Sequence, residues 1–436
     1  MDRILTKQQI FELFENNKSV LPDDLLKIFI EDLQKSDFPT LKDEEWRKTD
    51  LKPLLSHSFE LPQLTECKEN IVDNYNLSGK NSLNIVFYNG VLQKHLSNFV
   101  DNDQIEINQI DSKPIQLLAK SNVHQISFFT KLNSVYANNG FFIEIKKNSN
   151  YTKPIHIYNF VDGNNRKTAY LQKNLILAQE NSVSSITMSF HALSNDVFFS
   201  NIATEIFLQQ NSQIDLNIFE GEGNNAFLFN AIKVIQQKDT HFKSNTYTLC
   251  GKLVRNDLHI DIEGENATSE LNGIYLPDRE QHVDNNILIN HKVGNSQSSQ
   301  FYRGILDNNA TAVFTGKVHI FKNASKTQAY QKNNNIILSQ HAKVHSKPQL
   351  IIENDDVVAS HGSTVGQLDK EAIFYMQTRG ISKQTARTLM LIAFANEVTE
   401  KISNRDFKNY INYYLDKRLR GLKQEGMCSK MGICRG

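Results

Sequence analysis

The middle of the chain, from about residue 140 to 365, repeats short apolar runs separated by Asn, Asp, Gly, Ser and Lys, with almost no helical periodicity. The centres of comparable runs lie 26 to 32 residues apart, at Ile176, Ile206, Val234, Ile260, Leu288 and Ile320. A repeat of this length, made of strands and polar turns, predicts a stacked β-solenoid in which each coil buries its apolar face on the next. An antiparallel β-sandwich is the competing interpretation, but sandwich strands usually recur every ~8 to 12 residues with tight hairpins, and hairpin signals are sparse here.

Helical patterns precede this repeat. Apolar residues three and four apart predict helices over Lys7–Phe14 and Pro22–Leu33, with Pro22 suited to a first helical turn. Further along, Leu83–Tyr88 is strand-like and ends at the strong turn dipeptide Asn89-Gly90.

A second helical region follows Gly366. Its predicted helices run from a cap at Asp369 through Thr378 with a stop at Gly380, from a cap at Ser382 over Lys383–Ile402, and from a cap at Asn404 over Asp406–Leu422. The tail from Lys423 to Gly436 has no periodicity, which is typical of a frayed terminus.

These changes of pattern divide the chain into three predicted parts. Residues 1–130 form a helical and mixed N-terminal region, residues 131–366 form the β-solenoid core, and residues 367–436 form a helical C-terminal region with a flexible tail. The expected fold class is therefore mainly β, with helical regions at both ends of a solenoid.

Composition excludes several classes of function. Lys plus Arg and Asp plus Glu both number 48, so the net charge is zero and no overall field attracts nucleic acid. No apolar stretch approaches the ~20 residues that span a bilayer, and the N-terminus lacks the apolar core of a secretory signal. The four cysteines, Cys67, Cys250, Cys428 and Cys434, are too scattered for a disulfide framework. We therefore expect a cytoplasmic protein without membrane or nucleic-acid contacts.

The most informative motif is Asp355–Gly366, DDVVASHGSTVG, which places one imidazole, His361, beside a glycine at the end of the β region. Such a glycine lets other backbone or a ligand approach closely. From the residues alone, His361 is either a structural hydrogen-bonding histidine or a functional one, since a single imidazole has no obligatory partner.

Together with other segments, this motif resembles the SufB/SufD family of iron–sulfur cluster assembly proteins. The segments that carry the resemblance are Glu44–Thr49, Lys317–Ile320, Ala329–Ser339, Lys347–Leu350, Phe374–Ile381 and Ala386-Arg387. The resemblance is strong over residues 310–402 and weaker upstream. The motif departs from the SufB branch, which tends to carry His-Glu-Ala-Thr near a scaffold cysteine. No cysteine lies between Cys250 and Cys428, so the chain is more similar to the other branch.

The resemblance implies a right-handed parallel β-helix core and a noncatalytic scaffold role in the SufBCD complex. It implies a SufB-like partner subunit and a cluster-assembly interface shared with it. At that interface His361 is expected to supply a metal ligand. The iron–sulfur cluster is expected to be held there transiently, and not by the chain alone. It also implies a SufC-like ATPase partner bound by the C-terminal helices, with contacts predicted at Met376, Arg379, Leu389, Met390 and Phe394. A homodimer of the isolated chain is a further expectation, because an uncovered strand edge is an association site.

The alternative from another class is a β-helix carbohydrate-active enzyme, which needs paired carboxylates such as Asp355-Asp356 or Asp261 with Glu263. The chain has no phosphate loop of its own, so any ATP hydrolysis is expected from a partner. His341 and His345, ~13 Å apart along an extended strand, are expected to be surface or turn histidines. Cys428 and Cys434 have no assigned role, since their spacing differs from the tight pairs of zinc and redox motifs.

Overall fold

Two long β-sheets dominate the computed structural model, which describes residues 5–17, 19–63, 67, 71–75, 81–99, 102–110 and 123–420. The strands are β1 Leu83–Tyr88, β2 Val91–Leu92, β3 Ile105–Gln109, β4 Phe141–Ile145, β5 Asn150–Val161, β6 Thr168–Ala178, β7 Val183–Ala192, β8 Phe198–Leu208, β9 Gln213–Gly221, β10 Ala226–Gln236, β11 His241–Cys250, β12 Leu253–Ile262, β13 Thr268–Tyr275, β14 His282–His291, β15 Gln297–Leu306, β16 Thr311–Ile320, β17 Thr327–Ile337, β18 Lys343–Ile352 and β19 Val357–Gly366. The α-helices are α1 Lys7–Phe14, α2 Asp23–Lys35, α3 Lys52–Leu55, α4 Phe128–Tyr136, α5 Lys370–Thr378, α6 Lys383–Thr399 and α7 Arg405–Leu419.

Successive strands alternate between the two sheets. We call the sheet with β4, β6, β8 and the even strands up to β18 sheet A, and the sheet with β1, β5, β7 and the odd strands up to β19 sheet B. From β5 onward each strand pairs in parallel with the strand one coil before it, as β17 does with β15 and β19 does with β17. The chain therefore winds as a parallel solenoid of about eight turns. The fold-class prediction is confirmed, and the sandwich interpretation is wrong because sandwich sheets are antiparallel.

The predicted repeat corresponds to the stacking of coils in sheet A. Ile206 pairs in register with Ile176 on one side and with Val234 on the other, and Val234 pairs with Ile260. Leu288 lies one residue out of register, since Ile260 pairs with its neighbour Ile289. One residue along a strand changes the face on which the side chain lies, so the buried member of that coil is Ile289.

Polar turn residues stack at one corner of the solenoid. Asn148, Asn181 and Asn211 all have positive φ, between 57° and 60°, which asparagine tolerates better than most residues. The amide of Asn211 donates to the side-chain oxygen of Asn181, and Asn181 donates to Asn148, each at 2.8 Å. The turns that interrupt the apolar runs are thus linked from coil to coil by hydrogen bonds between asparagine side chains.

The N-terminal region covers the outer face of sheet A. Aromatic side chains make the contact: Phe129 of α4 lies 4.4 Å from the Phe229 ring and 5.9 Å from the Phe199 ring, measured between centroids. Trp46 packs on the same cluster and is 4% exposed. Helix α1 has the predicted bounds, whereas Pro22 is the N-cap of α2 and lies just before its first turn.

The C-terminal helices cover the outer face of sheet B. Buried residues of α6 and α7 pack on aromatic side chains of that face, for example Phe407 on Tyr247 with ring centroids 5.7 Å apart. The predicted caps Asp369, Ser382 and Asn404 are confirmed, since each side chain accepts hydrogen bonds from the first turn of its helix.

The predicted helix ends need two corrections. Gly380 has φ +83° and follows the end of α5, as expected of a helix stop. Helix α6 ends at Thr399, before the predicted Ile402. Helix α7 spans Arg405–Leu419 with Arg420 as its C-cap, so it begins before the predicted Asp406 and ends before the predicted Leu422. Leu422 and the tail that follows it lie outside the described residues.

In the described part of the chain, no helix is long and apolar enough to cross a bilayer. The strands β1, β3 and β4 before and around residue 130 belong to the two solenoid sheets. The division of the chain at residues 130 and 366 stays a prediction.

Candidate functional site

The last coil of the solenoid has free edges on both sheets. Strand β19 pairs with β17 alone and β18 with β16 alone, so neither has a neighbour on its outer side among the described strands. Apolar side chains lie exposed along this end, with Val358 at 57% and Val365 at 50%. A row of unpaired backbone N–H and C=O groups next to exposed apolar side chains is a ready surface for pairing with another chain.

His361 lies on this end, on the row of β19 that faces the solenoid interior. Its register partner is Gln331 on β17, a buried residue, and Val357 and Ala359 of the same row pack against the core. Side chains two residues apart share a face, so His361 belongs to the inward row. It is nonetheless exposed, because no further coil covers it. Its imidazole has no hydrogen bond or ion pair with the described residues.

The glycine beside His361 is not required by crowding within the chain. A Cβ built on Gly362 would meet no atom within 4 Å, and the same holds for Gly366 at the end of β19. Both glycines therefore leave open space on the outward row of the edge strand. The space lies on the face of β19 opposite the His361 side chain, and it is available to another chain that approaches the edge strand.

A polar network fills the solenoid interior below His361. Asn335 donates to the side-chain oxygen of Asn333 at 2.8 Å, and Ser346 of the opposite sheet donates to the same oxygen at 2.8 Å. The Tyr275 hydroxyl donates to Asn335 at 2.6 Å and accepts from Asn333 at 2.9 Å. The Asn-rich run of β17 thus places alternate amides inside the solenoid, in register with Tyr302 and Gly304 of the coil before.

Two carboxyl groups lie deeper in the same interior. Glu220 is fully buried and is bonded to Thr248 at 2.6 Å and to Asn256 at 3.0 Å. Glu222 is 1% exposed, and neither of its oxygens has a hydrogen bond of standard geometry. Burial is the largest cause that raises the pKa of Glu222 to about 8, and the Glu220 carboxyl adds to it. Nearby Ser200 and Tyr170 hydroxyls act in the opposite direction. The residues alone gave no signal of these buried acids.

No group of three or more His, Cys, Asp or Glu side chains in the described part of the chain could hold a metal ion. Cys67 and Cys250 are buried, and burial raises the pKa of Cys250. Cys428 and Cys434 lie outside the described residues. His361 remains a predicted ligand that would need partners from elsewhere.

The other histidines that the sequence singled out lie apart from His361. His341 is exposed in the turn between β17 and β18, and His345 is half-buried on β18. Burial lowers the pKa of His345, and the nearby Lys48 and Lys343 lower it further.

The predicted contact residues on the C-terminal helices differ in exposure. Leu389 is 42% exposed, Met376 and Met390 are half-buried, and Arg379 donates to the Tyr375 hydroxyl at 3.1 Å. Phe394 is partly buried under the guanidinium of Arg303 on β15, 4.2 Å from its ring centroid. Arg303 also donates to the Phe394 carbonyl at 2.6 Å, which ties α6 to sheet B.

Sequence reasoning missed two exposed aromatic residues. Phe374 and Tyr375 on α5 are 67% and 60% exposed, whereas Ile373 between them and the solenoid is buried. The run Ile373–Met376 contains four consecutive apolar residues. A helix buries one stripe of its surface, so such a run necessarily leaves apolar side chains in solvent. With Leu389, these two residues form what we call the α5–α6 surface.

The N-terminal motif Glu44–Thr49 reaches across sheet A to the late coils. Trp46 stacks on the buried Arg255, with the guanidinium 4.2 Å from the ring centroid. Arg255 is held by Asp257 at 2.8 Å and Asp284 at 2.5 Å, and it donates to the Glu45 carbonyl at 2.8 Å. Its charge is therefore paired inside a network that fastens the N-terminal region to the solenoid.

One of the two carboxylate pairs proposed for sugar chemistry, Asp261 with Glu263, is engaged in ion pairs, whereas Asp355 and Asp356 are exposed. Lys292 binds Asp261 at 3.0 Å and Glu263 at 2.9 Å, and Lys233 binds Asp261 at 2.8 Å. Burial alone would raise the pKa of Asp261, but the attraction of Lys233 and the hydrogen bonds outweigh it and leave the pKa below its usual value. A glycosidase acid needs a raised pKa, so this pair does not suit that role.

Comparison with known proteins finds matches that cover most of the β-solenoid. The family model described as "SUF system FeS cluster assembly, SufBD core domain" matches residues 160–394. The iron–sulfur cluster assembly protein SufD of Escherichia coli is 28% identical over 403 residues, which are 90% of this chain and 92% of the relative. An iron–sulfur cluster assembly SufBD family protein of Synechocystis is 28% identical over 84% of both chains. Protein ABCI7, chloroplastic, of Arabidopsis thaliana is 25% identical over 92% of this chain and 88% of the relative.

Proposed function

The chain belongs to the SufB/SufD family of iron–sulfur cluster assembly proteins, and on this premise we propose that it is a noncatalytic scaffold subunit of the SufD type. In this role it pairs with a SufB-like subunit, contacts a SufC-like ATPase and supports cluster assembly in the cytoplasm. The iron–sulfur cluster is the cargo of the complex and is not held by this chain alone.

The observation that carries the proposal is the last coil, with a free edge on each sheet and the unpartnered imidazole of His361 between them. A related solenoid can extend both sheets by pairing with β18 and β19 through backbone hydrogen bonds. The open space over Gly362 and Gly366 favours close approach at that edge. Pairing would enclose His361 between the two chains, where it is a ligand for a cluster whose other ligands come from the SufB-like partner. Without that partner, two copies of this chain would pair through the same edges.

The docking of the ATPase is proposed for the α5–α6 surface. It exposes the apolar side chains of Phe374 and Tyr375 on α5 and of Leu389 on α6, and the predicted contact Arg379 lies against the Tyr375 ring. Exposed aromatic and Arg side chains are the types enriched at the centres of protein interfaces. The partner ATPase would supply the nucleotide chemistry.

The experiment that tests the proposal is coexpression of the chain with its SufB-like and SufC-like partners, in wild-type form and as His361→Ala. We expect the variant complex to assemble at normal size, because replacing an exposed side chain without partners changes stability little. Bound iron and acid-labile sulfide, measured on the same preparation, should fall to background.

His341→Ala is the matched control, since His341 is also an exposed histidine, in the turn before β18. It should leave assembly, iron and sulfide unchanged. A His361→Ala complex with wild-type iron and sulfide would remove His361 from the function. If light scattering finds the chain and its SufB-like partner as separate monomers after mixing, the pairing proposal is wrong.

A further inference from the structure

A groove of about 520 Å³ lies where α5 and α6 meet the end of β17. Its apolar lining comes from Ile337, Leu338, Leu368, Ile373 and Phe374. Phe374 also belongs to the exposed α5–α6 surface, so the groove and that surface are continuous.

Three cations and no carboxylate line the groove. They are Lys370, the first residue of α5, and Lys383 and Arg387 on α6. None of the three has an ion pair or a hydrogen bond with the described residues, and no carboxylate is among the residues that line the groove. Arg387 also lines the neighbouring cavity of about 320 Å³, where Asp278 and Asp307 lie, whereas Lys370 and Lys383 line the groove alone.

The arrangement on α6 adds to the positive potential. Lys383 and Arg387 are four residues apart, so they lie on one face of the helix about one turn from each other. Like charges at this spacing repel, and an anion between them would relieve the repulsion. Lys383 is also the first helical residue, at the positive end of the helix dipole.

The groove also offers groups that suit a peptide main chain. Three glutamine side chains, Gln340, Gln367 and Gln377, line it. Each amide both donates and accepts hydrogen bonds, which matches the alternating N–H and C=O groups of a peptide. A phosphate group, by contrast, chiefly accepts hydrogen bonds. The combination of amides, an apolar lining and cations spread over two helices therefore favours an acidic peptide over a small anion.

The chain's own tail does not have the charge to fill the groove. Residues 421–436 carry Lys423, Lys430 and Arg435 against the single acidic side chain Glu425. The counter-charge is therefore expected from another chain. We infer that the groove receives an acidic peptide segment of the partner that docks on the adjoining α5–α6 surface. This inference rests on the proposed function, because it needs the partner to dock there.

The test compares two double charge reversals in the full chain. The variant Lys383→Glu with Arg387→Glu alters the groove. The matched control is Lys401→Glu with Arg405→Glu. Both control cations are exposed and lie in the same helical region, but they do not line the groove. A third variant, Phe374→Ala with Tyr375→Ala, tests the apolar surface. Binding of the SufC-like ATPase is measured by calorimetry at several salt concentrations.

We expect the groove variant to lose ATPase affinity by about tenfold or more at low salt, since like charges placed against an acidic segment repel it. Its affinity should also depend less on salt than that of the wild type. The control should bind like the wild type. A fluorescent deca-glutamate peptide added to the chain alone should bind the wild type and the control but not the groove variant.

The possible outcomes distinguish the groove inference from the proposed docking of the ATPase on the α5–α6 surface. If the aromatic variant loses the ATPase and the groove variant does not, the groove inference is overturned and the proposed docking surface stands. If neither variant affects binding, or if the ATPase does not bind the wild type, both are overturned. If millimolar inorganic phosphate displaces the peptide and binds the wild type as tightly, the groove is a small-anion site and the inference is wrong.

Discussion

Replacing Glu222 by glutamine should stabilise the protein at neutral and alkaline pH. Glu222 lies in the solenoid interior, 1% exposed and without a hydrogen bond of standard geometry to its oxygens. Burial raises its pKa from 4.5 to about 8, so at pH 7 the native protein keeps this carboxyl protonated. The unfolded chain releases the proton at its ordinary pKa. Native stability therefore falls as pH rises from 4.5 to 8, because the native state binds one proton more.

The size of the effect follows from the same two pKa values. Each pKa unit corresponds to about 1.4 kcal/mol, so the cost to the wild type is about 3 kcal/mol at pH 7 and about 4 kcal/mol at pH 8. Glutamine resembles the protonated acid in shape and releases no proton, so the variant lacks this cost. With an unfolding entropy of about 2 cal/mol/K per residue, a gain of about 3 kcal/mol raises the melting temperature of a chain this long by about 3 to 4 °C.

The assay is thermal unfolding followed by circular dichroism between pH 4.5 and 8.5. The difference between Glu222→Gln and the wild type should be near zero at the acid end and should grow up to about pH 8. Glu263→Gln is the control, because Glu263 is 45% exposed and paired with Lys292, and its effect should stay within about 0.5 kcal/mol at every pH. A Glu222→Gln variant that melts below the wild type at pH 8, or by an amount independent of pH, would refute the reasoning.

Two further predictions concern stability. Trp46→Ala should lower the free energy of unfolding by about 3 to 5 kcal/mol, because it empties a buried site and uncovers the Arg255 network. Denaturant titration measures this change. A loss under about 1 kcal/mol, which is the usual size for a surface substitution, would contradict the prediction. Asn211→Ala should cost about 1 kcal/mol through its positive φ of 58° and its lost hydrogen bond, whereas Asn211→Gly should cost less. Equal melting temperatures for these two variants would show that backbone strain at this turn is unimportant.

The solenoid was predictable because stacking makes the sequence repeat. Coils that pair in register must place an apolar residue at equivalent positions, as Ile176, Ile206, Val234 and Ile260 do in sheet A. Helix starts were predictable for a local reason, since Asp369, Ser382 and Asn404 cap the helices through hydrogen bonds within one turn.

Buried charges were beyond sequence reasoning. Lys173 and Glu205 form an ion pair at 2.7 Å, and their side chains are 2% and 0% exposed. They lie 32 residues apart on neighbouring strands, and the pattern around each predicts only a strand that contains polar residues. Whether such a side chain faces solvent depends on what covers that face of the sheet. In this chain the cover comes from N-terminal helices whose docking the strand pattern does not encode.

The two ends of the solenoid differ in a way that bears on function. At the first coils, each sheet ends in an antiparallel strand, β2 beside β1 and β3 beside β4. An antiparallel strand interrupts the parallel stacking of coils, so that end does not present a parallel coil to another solenoid. At the last coil, β18 and β19 end both sheets with parallel edges, and no described strand covers them. The inward residues of β17 at this end are the amides Gln331, Asn333 and Asn335, and the last strand places His361 in register with Gln331. A chain that served only to fold would gain stability by filling this end with apolar side chains and capping it. The polar, uncapped end is therefore better explained by a partner that completes it.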